Sequence, residues 1–539
     1  MGRVLIRLSL LCASILLGTI GAGAQQARAS GAFDPAGATI PQLRAALDSG
    51  AISDVQLVRY YLNRIERFDK RGPRINALIS LNAHALEQAR HIDGNLKIKS
   101  SRPTLLGIPF IVKDNFNSAG MPTSAGSAAL KHSMPPMNAA AVQKLLDQGA
   151  ILIGKANMSE MASSYGRLGY SSVGGLTLNP YNTSRNVSGS SSGSAAAVAA
   201  DFAAFALGTD MSGSIRGPAN VAGLVGLRPT QGLISRAGVV PSSLTFDTVG
   251  ILARSPKDVA IVLDTLAAPD AMDAMDAATL ERPRSQVKYE EGIEHGSLQG
   301  VRLGVVGNFR GGNDEVDGVE QDVLEVLNNQ GAVLIPVTLP DAFEHLWNSV
   351  MGPVGQAELR PELERYLRTL PAGQPKTLAE LIDLSATRRE RESSNPINPA
   401  LLKALREAQA SELMDSPTYL HILTQVIPSL RHDLQALVAS QNLRALVFST
   451  MSCPASPRFD IPDPRYICRS DDSYKASYIA STVGFPEVTV PVARISNNLP
   501  VGYSLLGVPD SEAQLLGLAN AVQQALRLAH GPLPGPSLQ

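Results

Sequence analysis

Short apolar runs alternate with segments of helical pattern along most of the 539-residue chain, and this alternation restricts the fold. The run Leu105–Val112 has the length and composition of a buried strand. Residues 139–146 follow a helical pattern, and residues 149–154 then form a second short apolar run. Such helix–turn–strand units predict an α/β architecture in which helices cover both faces of a central sheet. We therefore expect one large α/β domain with a mixed, mostly parallel sheet.

The same periodicities predict further elements on either side of these units. The predicted helices span residues 38–66, 82–92 and 195–207, and the predicted strands span residues 301–306, 486–492 and 500–506. The helix at 195–207 is rich in Ala and carries only Asp201 as a charged residue, so we expect it to be deeply buried. The polar segments 269–300 and 366–416 are expected to be peripheral excursions from the same domain.

The first 24 residues have the features of a cleaved secretory signal peptide. Arg3 and Arg7 give a positive start, an apolar run extends from Leu8 to Ile20, and Ala22–Ala24 fits a small-x-small cleavage site. A single membrane anchor is the alternative, but the run is short for the roughly 20 residues that span a bilayer. We expect the protein to be periplasmic or secreted, and to have no membrane contact after cleavage.

Charge and composition exclude several classes of function. The chain has 47 Lys and Arg against 48 Asp and Glu, which argues against electrostatic capture of nucleic acid. Its eight histidines are scattered without metal-ligand spacing, so we predict no metal and no other cofactor. Cys453 and Cys468 remain after signal cleavage, and the sequence leaves open whether they form a disulfide or stay two buried thiols.

Three features carry candidate chemistry. The first is Lys113, which follows a buried apolar run. Loss of solvation there would lower the pKa of the lysine and let it take a proton, unless the side chain extends to solvent.

The second feature is the run Ser188–Ser194, which leads directly into the Ala-rich helix and is therefore unlike a flexible linker. It also matches G-x-S-x-G around Ser191, but a turn-rich loop precedes it, which excludes a nucleophile elbow. The third feature is the segment Gly208–Pro218. Its small residues can direct consecutive backbone N–H groups at one oxygen, which is the geometry of an oxyanion hole, or the segment can be an ordinary Gly-rich loop.

Taken together, Lys113, Ser190 and Ser214 resemble the amidase signature family. The resemblance extends from about residue 38 to the C-terminus, and its motifs resemble the exported bacterial peptide amidases most. The motifs that carry it are residues 154–160, 226–230, 247–250, 484–486 and 499–502, and, for the peptide amidases, 74–79 and 122–127.

The resemblance implies a single amidase domain over residues 30–532 and a Ser-cisSer-Lys catalytic set. Ser214 would be the nucleophile, Ser190 would follow a cis peptide bond and relay the proton, and Lys113 would be the base. The backbone N–H groups of Met211, Ser212, Gly213 and Ser214 would form the oxyanion hole. The supporting residues would be Ser191, Asp210 and Arg216.

The expected substrate is a C-terminal peptide amide or a related small amide. The same site chemistry could hydrolyse further acyl amides or esters. Two more functions are possible for this fold: a subunit of an amidotransferase, and an exported binding protein. The signal peptide argues against the first, and the intact set of Lys113, Ser190 and Ser214 argues against the second. Monomer and homodimer both remain open.

Overall fold

A computed structural model describes residues 33–95, 102–268, 276–280, 287–391, 395–411 and 414–538. The predicted signal peptide lies outside these residues. The described chain forms one eleven-stranded sheet and a separate two-stranded sheet made of residues 170–171 and 175–176. The strands are β1 Leu78–Leu81, β2 Pro109–Lys113, β3 Ile151–Ala156, β4 Tyr170–Ser171, β5 Gly175–Leu176, β6 Phe205–Asp210, β7 Val225–Arg228, β8 Thr248–Ala253, β9 Arg302–Val306, β10 Val333–Val337, β11 Ala445–Ser449, β12 Glu487–Ile495 and β13 Leu499–Leu506.

The large sheet is mixed, as predicted. Its strand order is β1-β3-β2-β6-β8-β7-β12-β13-β11-β9-β10. β2 pairs in parallel with β3 and β6, β9 pairs in parallel with β10 and β11, and the remaining neighbours are antiparallel. Antiparallel pairing is more extensive than the sequence predicts, because β8, β7 and the β12–β13 hairpin occupy the middle of the sheet.

Helices cover both faces of the sheet, which confirms the predicted architecture. The helices are α1 Ile40–Asp48, α2 Asp54–Phe68, α3 Ala85–Asn95, α4 Ala140–Asp147, α5 Ser192–Ala199, α6 Arg216–Val221, α7 Pro256–Leu266, α8 Ala277–Leu280, α9 Tyr289–Glu294, α10 Asp314–Asn329, α11 Gly352–Thr369, α12 Leu378–Arg391, α13 Pro399–Ala410, α14 Pro417–His421, α15 Ile427–Ser440, α16 Lys475–Val483 and α17 Glu512–His530. On β2, Phe110 and Val112 pack into an apolar cluster with α1, α4, α7, α10 and α17, whereas Ile111 packs into another with α2, α3, α5 and α6. This alternation follows from the two-residue period of a strand.

Two predicted helices are wrong in part. The Ala-rich helix predicted over 195–207 begins earlier, at Ser192, and ends at Ala199, because residues 205–210 form β6 between β2 and β8. An uncharged apolar segment is equally suited to a buried helix and a buried strand, so its pattern does not distinguish them. The helix predicted over 38–66 is divided into α1 and α2, because Ser53 Oγ accepts a hydrogen bond from Gln56 N and starts a new helix.

The described parts of the two predicted excursions contribute buried side chains to the apolar clusters of the domain. Tyr289 and Ile293 on α9 belong to the main apolar cluster, and residues 269–275 and 281–286 lie outside the described residues. In the 366–416 segment, Leu378 and Leu401 share an apolar cluster with Leu130, which lies between β2 and α4. In the described ranges, no helix is long and apolar enough to cross a bilayer.

Cys453 and Cys468 form a disulfide, which decides between the two possibilities that the sequence left open. It closes a loop between β11 and α16. This loop contacts the segment that leads to Ser190: Asn186 N donates to Ser456 O at 3.0 Å, and Arg185 pairs with Asp463 at 2.7 Å.

Candidate active site

Lys113 lies at the end of β2, and its side chain is fully buried. Its Nζ is 2.8 Å from Ser190 Oγ and 2.7 Å from Thr209 Oγ1, the latter on the neighbouring strand β6. Asn115 Nδ2 donates to the same Thr209 hydroxyl at 3.1 Å. The lysine therefore does not extend to solvent, and its amine is held against the hydroxyl of Ser190.

Burial sets the protonation state of Lys113. Loss of solvation lowers the pKa of Lys113 to about 7, against an opposing influence of the Asp247 and Asp210 carboxylates. A lysine with this pKa is substantially neutral near pH 7, and a neutral amine can accept a proton. The amine can then take the proton of the adjacent Ser190 hydroxyl.

Ser190 lies at the turn into α5, and the peptide bond between Gly189 and Ser190 is cis. The turn is tightly enclosed, because a Cβ on Gly189 would lie 2.5 Å from Ser159 Oγ and would displace that hydroxyl. Ser190 O accepts a hydrogen bond from Ser159 N at 3.1 Å. These contacts fix the Ser190 hydroxyl opposite Lys113.

Ser191 is a structural neighbour of the site. It is fully buried, and its hydroxyl donates to Thr209 O at 3.1 Å. Its backbone N–H donates to Ser214 O at 3.2 Å, which joins the Ser190 turn to the loop that carries Ser214. No strand precedes this turn, in agreement with the exclusion of a nucleophile elbow.

Ser214 follows β6 in a tight loop before α6. Its hydroxyl forms no hydrogen bond with any residue that the structure describes, so it is free to approach a substrate. Gly213 in this loop has φ +101°, a conformation suited to glycine.

The structure corrects one member of the predicted oxyanion hole. The Gly213 N–H donates to Asp210 Oδ1 at 2.8 Å and is therefore already engaged within the loop. The backbone N–H groups of Met211, Ser212 and Ser214 form no hydrogen bond within the described parts of the chain. These three N–H groups are the ones left to bind an oxyanion.

A buried ionic network holds this loop in place. Asp210 Oδ2 accepts from Arg216 Nε at 3.1 Å and from Ile215 N at 3.0 Å, and Arg228 also pairs with the carboxylate. Burial alone would raise the pKa of Asp210, but the adjacent guanidinium groups of Arg216 and Arg228 hold it well below its usual range. Arg216 continues the network to Glu487 on β12, 2.5 Å away. The loop is thus anchored to the middle of the sheet.

We predict that Asp210→Asn destabilises the fold as well as the site. The change leaves Arg216 with only Glu487 as a carboxylate partner and removes the Asp210 carboxylate that pairs with Arg228. Breaking a buried ion pair costs about 3–5 kcal/mol. Urea unfolding followed by circular dichroism should show this loss of unfolding free energy, together with reduced activity. A variant with unchanged stability would contradict the structural role of the network.

Sequence reasoning missed two contacts of the site. Thr209, which holds the Lys113 amine, gives no signal of its own because it lies inside a buried strand. Tyr474, just before α16, has its hydroxyl 2.5 Å from Ser188 Oγ. Neither contact can be found without knowing which distant segments meet.

The pH dependence should report the lysine. Because neutral Lys113 is the reactive form and its pKa is about 7, kcat/KM for an uncharged amide should rise about tenfold per pH unit below 7 and level off above it. Steady-state ammonia release from about pH 5 to 9 measures this profile. A rate that stays constant between about pH 5 and 7 would contradict a lysine base with this pKa.

Across the described ranges, no three His, Cys, Asp or Glu side chains lie together in a group that could hold a metal ion. The chemistry available is that of a serine hydroxyl, a relay hydroxyl, a lysine and backbone donors.

Comparison with known proteins agrees with this geometry. The Amidase family model matches residues 56–516. The structure of a peptide amidase from Stenotrophomonas maltophilia is 34% identical, with a TM-score of 0.81, and the match covers 93% of this chain and 98% of that one. The A subunit of glutamyl-tRNA(Gln) amidotransferase from Thermoanaerobacter pseudethanolicus is 33% identical over 493 residues, which is 90% of this chain and 96% of the relative. The structure of the same kind of subunit from Thermotoga maritima is 25% identical, with a TM-score of 0.70 over 93% of this chain and 98% of that one.

The chain belongs to the amidase signature family. It is an enzyme of the class that hydrolyses amide C–N bonds with a Ser-cisSer-Lys triad.

Proposed function

We propose that this enzyme is an exported amidase that releases ammonia from peptides with a C-terminal carboxamide. The observation that carries the proposal is the buried Lys113 amine 2.8 Å from the hydroxyl that follows the cis Gly189–Ser190 bond. Likeness to the peptide amidase over nearly its whole length supports the choice of substrate.

In the proposed first step, the Ser214 hydroxyl attacks the amide carbonyl. Its proton passes to Ser190, and the proton of Ser190 passes to neutral Lys113. The C=O oxygen becomes an oxyanion that the free N–H groups of Met211, Ser212 and Ser214 stabilise.

The C–N bond then breaks. Ser190 donates a proton to the leaving nitrogen and regains one from Lys113, so ammonia leaves and the acyl group stays on Ser214. Water attacks this ester with the same pair acting as base, which releases the acid and restores both serine hydroxyls.

Two features support export. The first 24 residues have the composition of a cleaved signal peptide. The Cys453–Cys468 disulfide is typical of proteins that mature in an oxidising compartment. Fractionation of the source cells, with an antibody against the mature chain, tests this part of the proposal. Retention in the cytoplasm of an uncleaved chain would contradict it.

A second candidate is the role of an amidotransferase subunit, which the names of several curated relatives favour. The disulfide, the N-terminal sequence and a TM-score that is higher for the peptide amidase structure (0.81) than for the amidotransferase subunit structure (0.70) support hydrolysis by the isolated chain instead. An enzyme that turns over by itself needs no partner subunit, so the purified chain distinguishes the two.

The test is ammonia release by the purified mature chain from amidated peptides, simple amides and esters. Release from the peptides, lost in Ser214→Ala and Lys113→Met, supports the proposal. Turnover confined to simple amides or esters would support the catalytic mechanism but contradict the proposed peptide substrate. No turnover without added proteins would favour the amidotransferase role.

A further inference from the structure

A positively charged side chain lies beside the Ser190 turn without a charged partner. Arg167 is in the loop between β3 and β4, and its guanidinium forms no hydrogen bond or ion pair with any residue in the described ranges. It lies instead over two aromatic rings, 5.4 Å from the centroid of Tyr170 and 4.9 Å from that of Phe459.

The two residues that follow Arg167 contact the turn that carries Ser190 or the serine bonded to it. Leu168 packs against the cis peptide: a Cβ on Gly189 would lie 3.2 Å from Leu168 Cδ2. Gly169 N donates to Ser159 Oγ at 3.0 Å, and Ser159 N in turn binds Ser190 O. Arg167 is therefore one residue away from the wall of the Ser190 turn.

The two rings that hold Arg167 are themselves fixed. They pack edge to face with centroids 5.5 Å apart, and Tyr170 OH donates to Pro396 O at 2.7 Å. Phe459 belongs to the loop that the Cys453–Cys468 disulfide closes, so it is supplied from a distant part of the chain. These ring contacts restrict the arginine before a ligand binds, which lowers the entropy cost of binding.

The contact with the two rings defines what this arginine can bind. Aromatic rings attract a guanidinium through their π-systems and accept none of its N–H hydrogen bonds here, so its N–H donors remain available to a ligand. Those donors match the two oxygens of a carboxylate. Glu160, the nearby carboxyl beneath this loop, is buried and accepts hydrogen bonds from Ser172 instead.

We infer that Arg167, held by Tyr170 and Phe459, is a specificity-determining residue that binds a carboxylate on the acyl side of the substrate. The preferred substrates would then be amidated peptides with an acidic residue near the amide. This inference rests on the proposed function, since it names the substrate class of the same site.

The test uses pairs of amidated tripeptides. The two members of a pair differ at one position only, where one has Glu and the other has Gln, and each position is tested in turn. At one position, kcat/KM of the wild type should be about tenfold higher for Glu than for Gln. Arg167→Gln should abolish that preference, mainly through KM of the acidic peptide, and should leave turnover of the Gln peptide nearly unchanged. Phe459→Ala should reduce the preference, because the arginine loses one of its two rings.

Arg465→Gln is the matched control. Arg465 is an exposed arginine in the same disulfide-closed loop, so the variant makes an equal change in net charge without touching Arg167. Two results would overturn the inference: the wild type shows no preference for Glu at any position, or the preference survives Arg167→Gln. In either case, ammonia release from the peptides would still support the amidase proposal. Failure to release ammonia from either peptide of the pair overturns both.

Discussion

Ser214→Ala is expected to lower kcat/KM for an amidated peptide by roughly 10⁴-fold or more, because it removes the atom that forms the acyl-enzyme. The loop should remain folded in this variant. Asp210 holds it through the backbone N–H groups of Gly213 and Ile215, and neither bond involves the Ser214 hydroxyl. Ammonia release measures the loss, and thermal unfolding by circular dichroism should give an unchanged midpoint.

Ser440→Ala is a suitable control for Ser214→Ala, because it makes the same chemical change at an exposed position at the end of α15. It should retain wild-type activity. An active Ser214→Ala variant would show that another residue is the nucleophile.

Lys113→Met is expected to lower kcat/KM by about 10²–10⁴-fold, which is the usual contribution of a general base. Methionine retains the apolar stem of the lysine and removes the amine that lies against Ser190 Oγ. Burying an amine costs solvation, so the variant should unfold at the same temperature or higher. Lys113→Arg should also be inactive, since a guanidinium stays charged and cannot take the proton.

The control for Lys113→Met is Lys403→Met, which removes a lysine from an exposed pair with Glu407 on α13. It should be fully active. If Lys113→Arg kept wild-type turnover, a neutral amine would not be the base, and the relay through Ser190 would be wrong.

Much of the site can be predicted because its residues interrupt clear patterns. One such residue is a lysine that directly follows an apolar run, and another feature is a Ser-rich run that directly precedes an uncharged segment. Both differ in polarity from the segments next to them, and both lie in the site. The α/β architecture follows from the same alternation of apolar runs and helical segments. Local patterns are sufficient for these features because the chemistry lies at the ends of elements.

Other features depend on three-dimensional contacts that the local sequence pattern does not specify, and they could not be predicted. The residues 205–207 look helical in isolation, and only their position between β2 and β8 makes them a strand. The Gly213 N–H was expected in the oxyanion hole, but its direction depends on how the Asp210 carboxylate folds back over the loop. The rings around Arg167 come from segments almost three hundred residues apart, so no pattern near Arg167 reveals them.

The central claim is that hydrolysis passes through an acyl group on Ser214, and trapping that group tests it most directly. The enzyme should be mixed with an amidated peptide or with an ester of the same acyl group, which acylates the serine faster and so lets the acyl-enzyme accumulate. The reaction is quenched in acid during turnover, and the enzyme is digested and mapped by mass spectrometry. The account predicts the added acyl mass on the peptide that contains Ser214, and none in Ser214→Ala. An acyl group on Ser190 or Ser191, or turnover with no acylated serine, would contradict it.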